Sequence, residues 1–510
     1  MERASDTIPP PMEIDVVEAP PGGVEADVLV FPVYHPVALT EAAEGLDRLL
    51  DGRLARLIDE GEIRCKRGSV ALTHTDGRLA ARRVGAAGVG KEALEPDSLR
   101  TAAAAVARRT KEVGGRSIAW LVEAREGLSP AEQARAIVDG TLLGQYENGR
   151  WKTNDDADGA DLERLILCGP GAAAGADEAA RAGIVASWAN RCRDLVNAPA
   201  NELTPERLAA WAEEAAAANP ALRFEALGPE EIRAAGMGAF SAVSQGSDNP
   251  PRLITLTYEP ESPADPDLRV GLVGKAITFD SGGLSLKPAY RMDEMKSDMG
   301  GGAAVLTATA AIAELGLPVR ILTVVPSCEN MPGGHALRPG DIVTSMSGKT
   351  IEISNTDAEG RLILADALWY ARESGATHVL DLATLTGGVV VAMGDLYAGL
   401  FGNDDAWVGE IQAAAEESGD LAWRLPLHER YGRYNDSPFA DLRNSSDYRQ
   451  ASPILAAAFL QEFAGKGPWA HLDIAGTSYL ERGRGDYYTH LGATGYGVRL
   501  LAELARRLTS

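Results

Sequence analysis

Residues 269–288 read RVGLVGKAITFDSGGLSLKP, and this stretch decides the fold. Its apolar run, 269–279, is a buried strand by pattern. The run carries Lys275, ends on Asp280 and turns through Ser-Gly-Gly before Lys287. Further apolar strand runs follow at 319–327 (VRILTVVPS) and 378–385 (HVLDLATL), with helices predicted at 301–315, 360–374 and 453–465. Strands alternating with helices predict an α/β architecture. In such sheets ligands gather beyond the carboxyl ends of the strands, where Asp280 stands.

Working back towards the N-terminus, the same alternation recurs. ADVLVFPVY (26–34), GSVALTH (68–74), SIAWLVEA (117–124) and ERLILCGPG (163–171) read as strands. Between them, 98–112 is Ala-rich and helical, and 128–146 opens with the Pro and acidic residues of a helix start. Residues 171–199 open loosely and become a long helix, while the polar, Pro-rich first dozen residues predict a loose tail. The expected organisation is an N-terminal α/β domain over 1–172, a connecting helix over 173–198 and a larger domain over 199–510. No repeat of 20–50 residues is present.

The 510 residues are 45% hydrophobic and 24% charged, which excludes a collagen-like or wholly disordered chain. Lys and Arg number 49 against 73 Asp and Glu, a net charge of −24. Such an acidic chain is poorly suited to general nucleic-acid binding, which needs cations to displace counterions. The four cysteines (Cys65, Cys168, Cys192, Cys328) lie far apart with no C-x-x-C pair, arguing against a disulfide framework or a Cys-based zinc site. The N-terminus has no apolar segment of signal-peptide length, and no 18-residue apolar run occurs. A cytoplasmic protein without a membrane span is expected.

Two motifs have bland readings. GAAGVGKE (85–92) almost spells a phosphate-binding loop, but Glu92 replaces the hydroxyl residue that would hold Mg²⁺, and a Gly-rich turn explains it better. Thr356, followed three residues later by Glu359, resembles a capping box opening the helix after it. That reading leaves Asp357 and Arg361 unexplained. His335 and His471 could approach a site, yet a lone His is more often structural.

Three segments change the balance: 273–288, MKSDMGGGAA (295–304) and SNTDAEGRLILADAL (354–368). Each brings a carboxylate to a chain reversal, namely Asp280, Asp298, and Asp357 with Glu359. Gathered in one crevice, four carboxylates could not all stay ionised unpaired. Two divalent cations would balance them. Oxygen ligation favours Mg²⁺ or Mn²⁺, and Zn²⁺ also accepts carboxylates with a nitrogen donor.

These segments resemble the leucyl aminopeptidase family of metallopeptidases (cytosol aminopeptidase, peptidase family M17). NTDAEGRL (355–362) is its signature, and the agreement continues in RDLVNAPANELTPERLA (193–209), DLATLTGG (381–388), WRLPL (423–427) and WAHLDIAGTSY (469–479). The resemblance implies a smaller, macro-domain-like N-terminal α/β domain and a larger C-terminal α/β/α catalytic domain with a mixed central sheet. It implies six subunits in a homohexamer and hydrolysis of the N-terminal bond of peptides with a free N-terminus, preferring leucine or other apolar residues. Carried over by motif, Asp280 and Glu359 are shared by two metals (Mn²⁺ or Zn²⁺, with Mg²⁺ a third candidate). Lys275 and Asp298 complete the tighter site and Asp357 the more exchangeable one. Lys287 and Arg361 correspond to the catalytic cations, the first stabilising the oxyanion and the second holding a bicarbonate general base. Met295 corresponds to a wall of the side-chain pocket, and Asn355, Thr384, Leu385 and Gly387 to substrate-binding positions. The run ASPILAAAF (451–459) departs from the family's more Gly-rich sequence near that pocket.

Two other classes compete. A DNA-architectural role has only the basic clusters RLAARR (78–83) and RRTKEVGGR (108–116) in its favour. A two-metal phosphoesterase would use the same carboxylates. The net charge opposes the first and the family motifs oppose the second.

Overall fold

The computed structural model describes residues 12–90, 95–125, 127–153, 161–448 and 450–509. The expected loose tail and the Lys91-Glu92 end of the near phosphate loop lie outside these residues, apart from Met12. The chain divides into two compact units, Met1–Ser187 with Arg482–His490, and Trp188–Glu481 with Leu491–Ser510.

The first unit holds a six-stranded sheet of β1 (Glu13–Val17), β2 (Val28–Val33), β3 (Val70–His74), β4 (Arg83–Gly88), β5 (Ser117–Leu121) and β6 (Arg164–Cys168), in the order β1-β6-β5-β2-β4-β3. Only the β3–β4 pairing is antiparallel. Of the segment 85–92 expected as a Gly-rich turn, residues 85–88 instead lie in β4, buried. Their small size serves close packing, since a Cβ on Gly85 would stand 2.8 Å from Leu72 Cδ2. The helix Pro130–Gly144 begins with a capping box between Ser129 and Glu132. In the two basic clusters, Arg78, Arg82, Arg109, Lys111 and Arg116 form ion pairs with Asp51, Asp27, Glu112, Glu147 and Glu163. No helix among the described residues is long and apolar enough to cross a membrane.

The second unit supplies β7 (Leu222–Leu227), β8 (Arg252–Tyr258), β9 (Arg269–Gly274), β10 (Ala276–Asp280), β11 (Arg320–Asn330), β12 (Ile342–Thr344) and β13 (Thr350–Glu352). Next come β14 (His378–Ala383), β15 (Ala398–Gly402), β16 (Ala422–Arg424), β17 (Leu442–Arg443) and β18 (Trp469–Asp473). The nine-stranded sheet runs β16-β15-β18-β14-β9-β11-β8-β7, with β10 paired to β11. It is mixed: β18, β14, β9 and β11 are mutually parallel, and β15 and β8 run against them. Val273 packs in one core with Leu362, Ile363 and Leu364 of the helix Gly360–Glu373. A Cβ on its neighbour Gly274 would instead meet Val305 of the helix Gly300–Glu314 at 2.5 Å. Successive strand residues face opposite ways, so these two helices cover opposite faces and the unit is an α/β/α layer.

One irregularity positions the site. The single strand expected over 269–279 is broken at Lys275, where β9 ends and β10 begins. The Lys275 N–H still bonds to Leu382 O of β14 at 3.0 Å, but the next donor on that edge, Ile277 N–H, bonds to Asp298 O at 3.1 Å. The Asp298 segment therefore enters beside the carboxyl ends of the central strands.

Candidate metal centre

Three chain reversals deliver the carboxylates. Asp280 closes β10, and the turn after it needs positive φ at Gly282 (+87°) and Gly283 (+63°), the left-handed region that favours glycine. This turn brings Lys287 back over Asp280. Asp298 ends the short 3₁₀ helix Met292–Ser297. The glycines after it form the first turn of the helix Gly300–Glu314, pressed onto the sheet where the sequence predicts a helix over 301–315. A Cβ on Gly302 would lie 2.7 Å from Ala276 Cβ.

The capping box expected between Thr356 and Glu359 does not form. The helix starts at Gly360 with no side-chain cap. Thr356 Oγ1 donates to Gly282 O (2.7 Å) and accepts from Ser285 N–H (2.8 Å), tying the two loops together. Both residues of the motif are claimed by tertiary partners, Thr356 by these loops and Glu359 by Lys275.

Lys275 Nζ lies 2.8 Å from Asp298 Oδ2 and 2.8 Å from Glu359 Oε1, and donates to Thr384 O at 2.9 Å. Lys287 Nζ bridges Asp280 Oδ2 (2.8 Å) and Asp357 Oδ1 (2.6 Å). Carboxylate oxygens of Asp280, Asp357 and Glu359 all lie within 4.8 Å of one another. The six charged groups predicted to meet do meet.

Four carboxylates against two ammonium groups leave negative charge in excess. Burial, then repulsion from Glu359, pushes Asp280 up to about 6, and burial raises Asp298 well above the usual range. Burial also pushes Glu359 up, but the Lys275 and Lys287 ammoniums outweigh it and hold this carboxyl low. Burial alone would lower Lys275; the Asp298, Glu359 and Asp280 carboxylates reverse that and keep its ammonium protonated. A neutral amine at Lys275 therefore requires a competing cation.

Glu359 Oε2 is buried without a hydrogen-bond partner. An orphaned carboxylate oxygen beside two other carboxylates is a donor set for a divalent ion, and the residues present fit a pair of such ions. Arg361 is buried on the first turn of the helix Gly360–Glu373. Its Nη1 donates to Asn444 O at 2.8 Å while its Nε has no partner.

Residues 190–502 match the model of the cytosol aminopeptidase family catalytic domain, and residues 30–155 match that of the family's N-terminal domain. The chain belongs to the cytosol aminopeptidase family. A relative from Roseiflexus castenholzii, described as a probable cytosol aminopeptidase, is 43% identical over 98% of this chain and 100% of its own. Another so described, from Solibacter usitatus, is 43% identical over 97% and 99%. Among solved structures, the bottromycin maturation enzyme BotP in complex with Mn superposes with a TM-score of 0.84 at 36% identity, covering 95% of this chain and 100% of that one. The protein is thus a metal-dependent aminopeptidase, a metallo-exopeptidase of a dinuclear family acting on peptides.

Three of the remaining predicted positions of this aminopeptidase contact the carboxylate residues. Thr384 Oγ1 donates to Asp298 Oδ1 (2.7 Å), Asn355 Oδ1 accepts from Asp357 N–H (2.9 Å), and Met295 O accepts from Asp298 N–H (3.3 Å). Leu385 is half-buried, and Gly387 is exposed at the start of the helix Gly387–Met393. His471 is buried with its Nδ1 2.6 Å from Asp381 Oδ1 and its Nε2 without a partner, and His335 is exposed.

Sequence reasoning missed the residues that hold the ligands still. Asn330 stands opposite Asp280 in the β10–β11 register, and its amide donates to Asp280 Oδ1 (2.8 Å) and Thr356 O (3.0 Å). Asn444, just past β17, donates to Asn355 O (2.7 Å) and Ala358 O (3.2 Å) and accepts from Ser354 N–H (2.9 Å). Strand pairing across 50 residues places the first, and a separate three-stranded sheet, β12-β13-β17, places the second. No local motif marks either.

Proposed function

We propose that this aminopeptidase releases the N-terminal residue from peptides with a free N-terminus, preferring leucine or other apolar residues. The observation that carries the reading is the convergence of Asp280, Asp357 and Glu359 oxygens within 4.8 Å around an orphaned carboxylate oxygen. Lys275, Asp280, Asp298, Asp357 and Glu359 would hold two divalent ions, Mn²⁺ or Zn²⁺ with Mg²⁺ as a third candidate. When bound, these ions supply Lewis acidity and an activated water.

The chain's own groups do the rest. The Lys287 side chain is 22% exposed against 3% for Lys275, so Lys287 is the ammonium that substrate can reach. It would stabilise the oxyanion that develops on the scissile carbonyl. Arg361, with its buried and unpartnered Nε, retains a donor for an anion, which supports a bicarbonate general base held there. Met295 would form a wall of the side-chain pocket, and Asn355, Thr384, Leu385 and Gly387 would align the substrate. Residues 199–510 would form the peptidase domain, 1–172 its accessory domain and 173–198 the connector, in a cytoplasmic homohexamer.

The test is a panel of unblocked dipeptides and their N-acetylated counterparts, assayed after loading with Mn²⁺, Zn²⁺ or Mg²⁺ separately. Release of the first residue from unblocked peptides only, fastest with leucine or another apolar residue, is expected. Equal cleavage of blocked and unblocked peptides would refute the exo-acting reading, and preference for charged first residues would refute the apolar pocket.

A further inference from the structure

Two of the proposed ligands share one support. The segment Thr384–Thr386 joins β14 to the helix Gly387–Met393. Its first residue accepts from Lys275 Nζ through the backbone carbonyl (2.9 Å) and donates to Asp298 Oδ1 through the hydroxyl (2.7 Å). Thr384 is itself placed by its neighbours Leu385 and Thr386, and a single carboxylate pins both of them. Asp473, at the end of β18 and opposite Ala383 in register, is fully buried. Its Oδ1 accepts from Leu385 N–H (3.2 Å), Thr386 N–H (3.4 Å) and Ala475 N–H (3.3 Å), and its Oδ2 from Thr386 Oγ1 (2.6 Å).

A carboxylate buried this completely persists only when fully hydrogen-bonded, and here most of its donors come from the one turn beside the metal centre. Behind it the strand is equally rigid. His471 and Trp469 both bond Asp381 across the β14–β18 pair, at 2.6 and 2.8 Å. The Asp357 side of the centre has different supports, Asn355 and Asn444. The two halves of the site are therefore braced independently.

We propose that Asp473 is a positioning residue for one half of the metal centre: by setting the Leu385–Thr386 turn it orients Thr384, and through Thr384 it orients Lys275 and Asp298. This rests on the ligand assignment proposed above. Losing such an outer partner typically weakens metal binding about 10–100-fold. Here the loss should be confined to the position completed by Lys275 and Asp298, the one completed by Asp357 being spared.

The experiment is calorimetric titration of the metal-free, full-length protein with Mn²⁺ alone. Wild type should bind two ions per subunit. Asp473→Ala should weaken the tighter one by roughly 10–100-fold and leave the other unchanged. Asp473→Asn should restore it, because the amide keeps the Oδ1 acceptor and can donate to Thr386 Oγ1 instead. Thr384→Val should reproduce the defect and Thr384→Ser should not. Asp420→Asn, which disturbs a buried pair with Arg499 (2.6 Å) elsewhere in the unit, controls for general loosening and should lower the melting temperature without separating the two affinities. Unchanged affinities in folded Asp473→Ala, or a parallel fall in both, would overturn the proposal. If Asp473→Ala does not fold, the Thr384 pair decides, and equal affinities in Val and Ser variants would overturn it. A wild type that binds no pair of Mn²⁺ ions would instead refute the ligand assignment.

Discussion

Lys275 Nζ lies 2.8 Å from Glu359 Oε1, and the residue after that glutamate, Gly360, is what leaves room for the lysine. A Cβ at Gly360 would stand 2.6 Å from both Lys275 Cε and Nζ. The glycine of the Glu-Gly-Arg step is thus a steric requirement of the site rather than a cap of the adjoining helix.

Gly360→Ala ought to be benign by helix propensity, since Ala is the better helix former. Contact with Lys275 reverses that expectation. The variant should lose at least about 100-fold in kcat/KM, measured by steady-state hydrolysis of an unblocked leucyl peptide. Activity within about threefold of wild type, well short of that loss, would show that Lys275 can be displaced without consequence.

Glu359→Ala and Lys287→Ala should separate ligation from catalysis. The first removes a carboxylate that both ions would share and should abolish turnover together with bound metal, read by elemental analysis. The second should keep its metal while kcat falls about 10²–10³-fold, the worth of one oxyanion donor. A Lys287→Ala enzyme with normal metal and normal kcat would contradict the role given to that ammonium.

Chelation should lower the melting temperature by several degrees, and Mn²⁺ should restore it. An ion present at about 100 times its Kd stabilises the state that binds it by about 2.7 kcal/mol, and removing it returns Asp280, Asp298, Asp357 and Glu359 to mutual repulsion. Superimposable melting curves with and without chelator would show that the carboxylates do not depend on cations.

Asp366 offers a pH test away from the metals. Its carboxylate accepts from Phe240 N–H (2.9 Å) and Met346 N–H (2.7 Å), and burial pushes it up to about 7. A carboxyl raised on folding contributes stability that is full below about 4 and lost as pH climbs through about 7, up to about 4 kcal/mol in all. Asp366→Asn cannot ionise, though its NH₂ must face one of the two N–H donors. The variant should therefore be less stable than wild type at pH 4, and the gap in melting temperature should narrow towards pH 7. A gap constant from pH 4 to 8 would show that Asp366 is not raised.

Much of this molecule is legible in its sequence. The apolar runs at 319–327 and 378–385 became β11 and β14, the helix over 360–374 appeared at Gly360–Glu373, and Asp280, Asp357 and Glu359 converged, with Asp298 joined to Glu359 through Lys275. The failures share a cause. The Thr356 to Glu359 spacing and the glycines at 85 and 88 fit local motifs, yet in the fold their small or polar groups answer to neighbours distant in sequence.

What the sequence alone determined is the inventory: strand and helix periodicity, the acidic balance, and three family-like segments that between them carry every charged group of the centre. Which of those groups faces which, and the Asn330, Asn444 and Asp473 braces behind them, only the tertiary structure decided. A side chain's partner is chosen by strand register and loop packing across 50 to 90 residues, and no short-range pattern encodes that choice.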